Sequence, residues 1–208
     1  MGIPKYFRWI TNKYSNLIFE KNNKSSLGFD EDVLLELENI DNLFLDANCL
    51  IHPCCREILQ EHPNLIDSHF DDYNKNINNI KNRKDVYSLL EKKMFDSIIV
   101  FIENLYNFVN PKKMMYIAID GVAPRAKMEQ QRTRRYRSFK EREIIEKIHN
   151  KCKSKLPKYW DTNAITPGTT FMLKLTNYLK NTIPSKFPKK IHLILSGPNT
   201  PGEGEHKI

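Results

Sequence analysis

Four acidic residues stand where three apolar runs end. Leu43-Phe44-Leu45 runs into Asp46 and Met114-Met115-Tyr116-Ile117-Ala118-Ile119 into Asp120. Ile191-His192-Leu193-Ile194-Leu195-Ser196 leads into a turn-rich stretch carrying Glu203 and Glu205. Short apolar runs closed by turn formers read as buried strands. A lone aspartate at a strand end is commonly a helix cap or a turn residue. Four carboxylates on one edge of one sheet repel one another unless divalent cations lie between them. Hard oxygen donors of this kind suit Mg²⁺ or Mn²⁺, and the chemistry such a cluster supports is metal-dependent phosphoryl transfer.

The elements that must position these acids follow from periodicity. Between residues 86 and 109, Leu89, Leu90, Met94, Ile98, Ile102, Leu105 and Val109 keep helical spacing, which predicts an amphipathic helix leading into the second strand. Thr166 is expected to cap a further helix with Pro167 at its first position. Phe171, Leu175, Tyr178 and Leu179 form its apolar stripe, and Ile183-Pro184 closes it before the third strand. The order strand, helix, strand, helices, strand predicts an α/β fold: a mostly parallel sheet with helices on both faces. Its ligand edge is the one outside the C-terminal ends of the strands. Residues 21–32 and 69–85 are polar and expected to be loops.

A chain of 208 residues, 40% hydrophobic, is long enough for one α/β domain with a core. No apolar run approaches the ~20 residues of a membrane span, and the N-terminus carries no secretory h-region. Tyr6 disfavours myristoylation of Gly2. Cys49, Cys54, Cys55 and Cys152 form no CxxC pair and read as reduced thiols of an intracellular protein, cytoplasmic or nuclear. A zinc site from His52, Cys54, Cys55 and His62 is the alternative use of two of them. The net charge of +8 is concentrated: residues 124–160 hold 13 Lys/Arg against 4 Asp/Glu, a local balance of +9. A near-neutral body with one basic segment is the footprint of a phosphate-backbone binder.

Within that segment, Arg125 to Arg137 is expected to start a helix just after Asp120. Lys127, Gln131, Arg134 and Arg135 fall at i, i+4, i+7 and i+8 and share one face. Such a set of donors can hold a terminal phosphate, with arginine giving forked contacts and lysine a point charge. A solvated helix face more often mixes charge signs.

Six blocks carry a resemblance to a known family: Met1-Gly2-Ile3-Pro4-Lys5-Tyr6-Phe7-Arg8-Trp9, Asp46-Ala47-Asn48-Cys49-Leu50-Ile51-His52, Asp120 through Met128, Gln130-Gln131-Arg132, Ile165-Thr166-Pro167-Gly168-Thr169 and Pro201 through Lys207. In this order they resemble the N-terminal nuclease region of XRN-type 5′→3′ exoribonucleases, from end to end of residues 1–208. The resemblance implies a PIN/flap-nuclease-like core that degrades RNA from a 5′-monophosphate end. It implies that Asp46, Asp120, Glu203 and Glu205 are catalytic and bind Mg²⁺, and that Lys127, Gln131, Arg134 and Arg135 hold the 5′ phosphate. It further implies that His52 stacks on a terminal base and that Asn48 supports the acids from behind.

The family's acidic site also uses aspartates beyond the Gly-Glu-Gly-Glu block, which this sequence, ending at Ile208, does not reach. The expectation is a core incomplete at its C-terminus: a fragment whose missing acids come from a second chain, or a reduced relative. Two other functions share parts of the pattern. A non-catalytic RNA 5′-end binder would keep the basic pocket with a partial acidic site. A structure-specific DNA flap nuclease would share the acids, but the arginine-rich block and the Met-Gly-Ile-Pro-Lys start fit an exoribonuclease better.

Overall fold

The computed structural model describes residues 5–15, 40–66, 69, 87–152 and 159–208. The polar stretches expected as loops at 21–32 and, residue 69 apart, at 69–85 lie outside them. Residues 1–39 and 40–208 fall into two units. The first contains helix α1 (Tyr6–Lys13), none of whose residues is buried. Tyr6 and Trp9 stack along it with ring centroids 5.9 Å apart, and the Lys13 ammonium lies 4.9 Å from the Trp9 ring centroid.

In the second unit β1 (Asn42–Asp46), β2 (Met114–Ala118) and β3 (His192–Ser196) form one parallel sheet in the order β1-β2-β3. Its register brings Asp46, Ala118 and Ser196 side by side at the C-terminal edge. Parallel neighbours require crossover connections, and helices supply them. Helices α2 (Asn48–Glu61) and α3 (Leu89–Val109) connect β1 to β2, while α4 (Arg125–Lys151) and α5 (Thr170–Lys186) connect β2 to β3. A 3₁₀ turn at Thr162–Ala164 precedes α5, and the single turn α6 (Gly204–Lys207) follows β3.

Strand side chains alternate between faces. Leu43, Leu45, Met115, Ile117, Leu193 and Leu195 join one core with the apolar stripes of α2, α3 and α5. Phe44, Tyr116 and Ile194, in register across the other face, lie outside that cluster. The expected parallel sheet flanked by helices forms. Among the described residues, however, the helices that share the core line one face rather than both, and Phe44 is 45% exposed.

Local chemistry sets the helix ends. Ser88 begins α3 with a capping box: its hydroxyl accepts from Glu91 N–H at 3.1 Å, and the Glu91 carboxylate accepts from Ser88 N–H at 3.0 Å. The same carboxylate meets Lys174 Nζ of α5 at 2.8 Å, an ion pair almost closed to solvent. The start expected for α5 at Thr166 is displaced to Thr169, whose hydroxyl accepts from Met172 N–H at 3.3 Å. Gly168, at φ 88°, turns the chain left-handed in between and prevents Pro167 from opening the helix. The expected stop at Ile183-Pro184 also moves, because α5 runs to Lys186 with Pro184 inside. So close to the end, a proline removes a single helical bond and the last turn survives.

Candidate active site at the acidic edge of the sheet

The three strand ends deliver the four acids, one each from β1 and β2 and two from the segment after β3. Asp46 closes β1, and Asp120 lies two residues past β2. Glu203 is the residue before α6, and Glu205 lies within it. The loops beyond β2 and β3 are joined main chain to main chain. Ile119 N–H donates to Ser196 O, Gly121 N–H to Gly202 O and Gly202 N–H to Val122 O, all at 2.9 Å. The approach is close enough that a Cβ on Gly121 would lie 1.9 Å from Thr200 O. Lys207 closes the junction from beneath, with Nζ donating to Ile119 O at 2.6 Å and Gly197 O at 2.9 Å.

Two residues fix the carboxylates themselves. Asn48, on the first turn of α2, gives its backbone N–H to Asp46 Oδ1 at 3.2 Å and its Nδ2 to Asp120 Oδ2 at 2.9 Å. Its Oδ1 accepts from Asp120 N–H at 3.0 Å. Gly204 N–H donates to Asp120 Oδ1 at 2.7 Å. A Cβ on Gly204 would stand 2.4 Å from Asp46 Oδ1, so the carboxylate occupies the space a side chain would take. Asn48 therefore ties two strand ends, and Gly204 ties the third to both.

Asp46 senses the other three acids. Burial pushes the Asp46 carboxyl up, the Asn48 N–H opposes that, and Asp120, Glu205 and Glu203 each add to the rise. Hard carboxylate oxygens gathered at one sheet edge, two lone pairs to each, fit a hard divalent cation. Among the described residues the tightest grouping of potential ligands is Glu203, Glu205 and His206, whose donor atoms lie within 4.8 Å of one another. Asp46 and Asp120 stand outside that grouping, so the expected four-carboxylate set is spread along the edge rather than collapsed on one point.

The basic helix α4 begins at Arg125, five residues after Asp120. Gly121-Val122-Ala123-Pro124 intervene because of the loop pairing above. The expected phosphate face divides between partners. Lys127 Nζ lies 3.4 Å from Glu203 Oε1. Arg134 is near enough to His52 that, after burial, it is the next cause lowering the His52 pKa, with Arg56 adding to it and Asp120 opposing. His52 is thereby held neutral between the cations and the acids. Gln131 and Arg135 line a cleft of about 440 Å³ with Met128, Arg132, Tyr136 and Phe139, one strip further round the helix than the face read from spacing. Lys127 and Arg134 do not line it.

The zinc alternative finds no support: among the described residues His52, Cys54, Cys55 and His62 do not come together as a group of potential ligands, and Cys54 and Cys55 are buried among the core side chains. Lys207 and Gly204 are the residues that sequence reasoning passed over. Each sits inside a block quoted above, but nothing in spacing alone separates a residue that fixes an acid from its neighbours.

The whole chain, residues 1–208, matches the family model described as XRN 5′-3′ exonuclease N-terminus. It is 38% identical over 237 residues to the 5′-3′ exoribonuclease 2 homolog of Drosophila melanogaster, covering 100% of this chain and 23% of that protein. It is 38% identical over 218 residues to the human 5′-3′ exoribonuclease 1, covering 11% of it. With the Saccharomyces cerevisiae 5′-3′ exoribonuclease 1 the figures are 37% over 218 residues and 12%. The chain thus spans about a tenth to a quarter of these relatives' length. Among the described residues no helix is long and apolar enough to cross a membrane.

Proposed function

We propose, for a chain that belongs to the XRN 5′-3′ exonuclease N-terminus family, that residues 1–208 are the N-terminal nuclease region of a divalent-metal-dependent 5′→3′ exoribonuclease. Its substrate is RNA with a 5′-monophosphate end. The observation that carries this reading is the junction of three strand ends through Asn48 and Gly204, which presents Asp46, Asp120, Glu203 and Glu205 beside the cations of α4. These four acids would hold Mg²⁺ or Mn²⁺, which when bound activates a water and stabilises the leaving oxygen of an in-line displacement.

The rest falls to the chain's own side chains. Arg134 and Arg135 supply forked contacts to a terminal phosphate, Lys127 a point charge and Gln131 a neutral donor. Lys127 also counters Glu203 while the phosphate is absent. His52, neutral at physiological pH, offers an aromatic face to the terminal base without adding to the positive charge.

The test uses the intact protein with 5′-monophosphate, 5′-hydroxyl and 5′-triphosphate RNA, in Mg²⁺ and in EDTA. The expected result is Mg²⁺-dependent loss of the monophosphate substrate alone. Asp120→Ala should abolish cleavage of every end, whereas Arg134→Ala should remove the preference among ends at a cost of about 10- to 100-fold in kcat/KM. Equal cleavage of hydroxyl and monophosphate ends overturns the pocket. Retained end binding without cleavage by the unmutated protein identifies an end binder instead of an enzyme.

A further inference from the structure

The block Ile165-Thr166-Pro167-Gly168-Thr169 has no part in the reading above, yet it touches the end pocket. Helix α4 buries none of its residues. It is tied sideways at two points to the segment 159–169 that leads into α5. Arg135 Nη2 donates to Thr166 Oγ1 at 3.2 Å. Seven residues along, two turns and hence the same face, Arg142 Nη1 donates to the Tyr159 hydroxyl at 3.3 Å and lies 3.5 Å from the Asp161 carboxylate.

The segment is firm where it meets Arg135. Trp160 and Ile165 are buried in the core and anchor it. The Thr169 hydroxyl reaches Ala164 O at 2.5 Å and Thr166 O at 2.9 Å, and Thr169 N–H closes the turn on Thr166 O at 3.2 Å. A guanidinium is a rigid planar fork. Pinning one of its arms sets the plane of the rest, which matters for matching a phosphate's oxygens and would not matter for a lysine's point charge.

We propose that Thr166 is a positioning and specificity-determining residue of the 5′-end pocket. Its hydroxyl accepts from one arm of Arg135 and holds the remaining N–H groups in the plane that meets a terminal phosphate monoester. This rests on the proposed pocket. The ligand class is the doubly ionisable phosphate at an RNA 5′ end.

The experiment measures binding of 5′-monophosphate and 5′-hydroxyl oligoribonucleotides of one sequence to the intact protein in EDTA, so that cleavage cannot intervene. The readout is the ratio of the two Kd values. Thr166→Val keeps the shape and removes the acceptor; Thr166→Ser restores it. Thr166→Val should cut the ratio by about 3- to 10-fold, the size expected of one charge-assisted bond near solvent. Affinity for the hydroxyl end should stay unchanged, and Thr166→Ser should recover the ratio. An unchanged ratio in Thr166→Val, with Arg135→Ala collapsing it, overturns the role of Thr166 and leaves the pocket standing. A ratio near one in the unmutated protein overturns the pocket and this inference together. A loss of affinity for both ends alike, or failure of Thr166→Ser to recover the ratio, also overturns it, because the loop would then be merely structural.

Discussion

Asp46 is where the needs of the site and of the fold pull apart. Its carboxyl is pushed up by burial and by Asp120, Glu205 and Glu203. A group whose folded pKa exceeds its unfolded value, near 3.9 for aspartate, loses stability as pH rises through that window and stays the poorer at neutral pH. Asp46→Asn should therefore raise Tm in EDTA at pH 7 by roughly 1–2 °C, a figure discounted for the carboxyl's partial exposure. The gain should fade below about pH 4, where both forms are neutral, and thermal melts across pH check it. Gly204→Ala makes the opposite trade. Its Cβ would displace the Asp46 carboxylate, and a misplacement near 1 Å is worth about 100-fold in rate. Overpacking there should cost only about 1–3 kcal/mol of stability by urea titration. The placement of Asp46 and Asp120 at strand ends was legible from the apolar runs before them, and that of Glu203 and Glu205 from the turn-rich stretch after the third run. Gly204 was legible only as a turn former, because its space is taken by a carboxylate that is 158 positions earlier in the chain.

At the scale of elements, the pairing of α3 with α5 turns on Glu91 and Lys174, whose side chains are only 7% and 14% exposed. Removing one partner leaves an uncompensated buried charge. Lys174→Met should cost about 3 kcal/mol, and Lys174→Met with Glu91→Gln should cost clearly less, since glutamine is neutral and still closes the Ser88 cap. Chemical denaturation of the three proteins would decide it, and equal losses in single and double variants would count against the account. The stripe of α3 was plain in the spacing of Leu90, Met94, Ile98 and Ile102. Its ion pair, spanning residues 83 apart, follows no local period. Helix limits were less legible where one residue overrode a motif. Gly168 moves the start of α5 past Thr166, and Pro184 does not stop the helix because it sits where a missing N–H is tolerated.

For the whole molecule, the basic segment was readable from charge sums, which need no folding, whereas the acidic edge was readable only from where the apolar runs end. What composition could not show is that α4, about 40 Å long at 1.5 Å per residue, would bury none of its residues and be tied to the described residues through Lys127, Arg135 and Arg142. Nor did alternation in the strands reveal that Phe44, Tyr116 and Ile194 would lie outside the shared core. The order in which the site is built along the chain has its own consequence. Lys127 to Arg135 precede Glu203 and Glu205 by about seventy residues, and β3, which positions those glutamates, comes last of the three strands. At ribosomal speeds of roughly 5–20 residues per second, several seconds separate the two. On the proposed reading, a growing chain displays its grip on RNA ends before it owns a full set of acids, and it matures as a binder before it matures as a cutter.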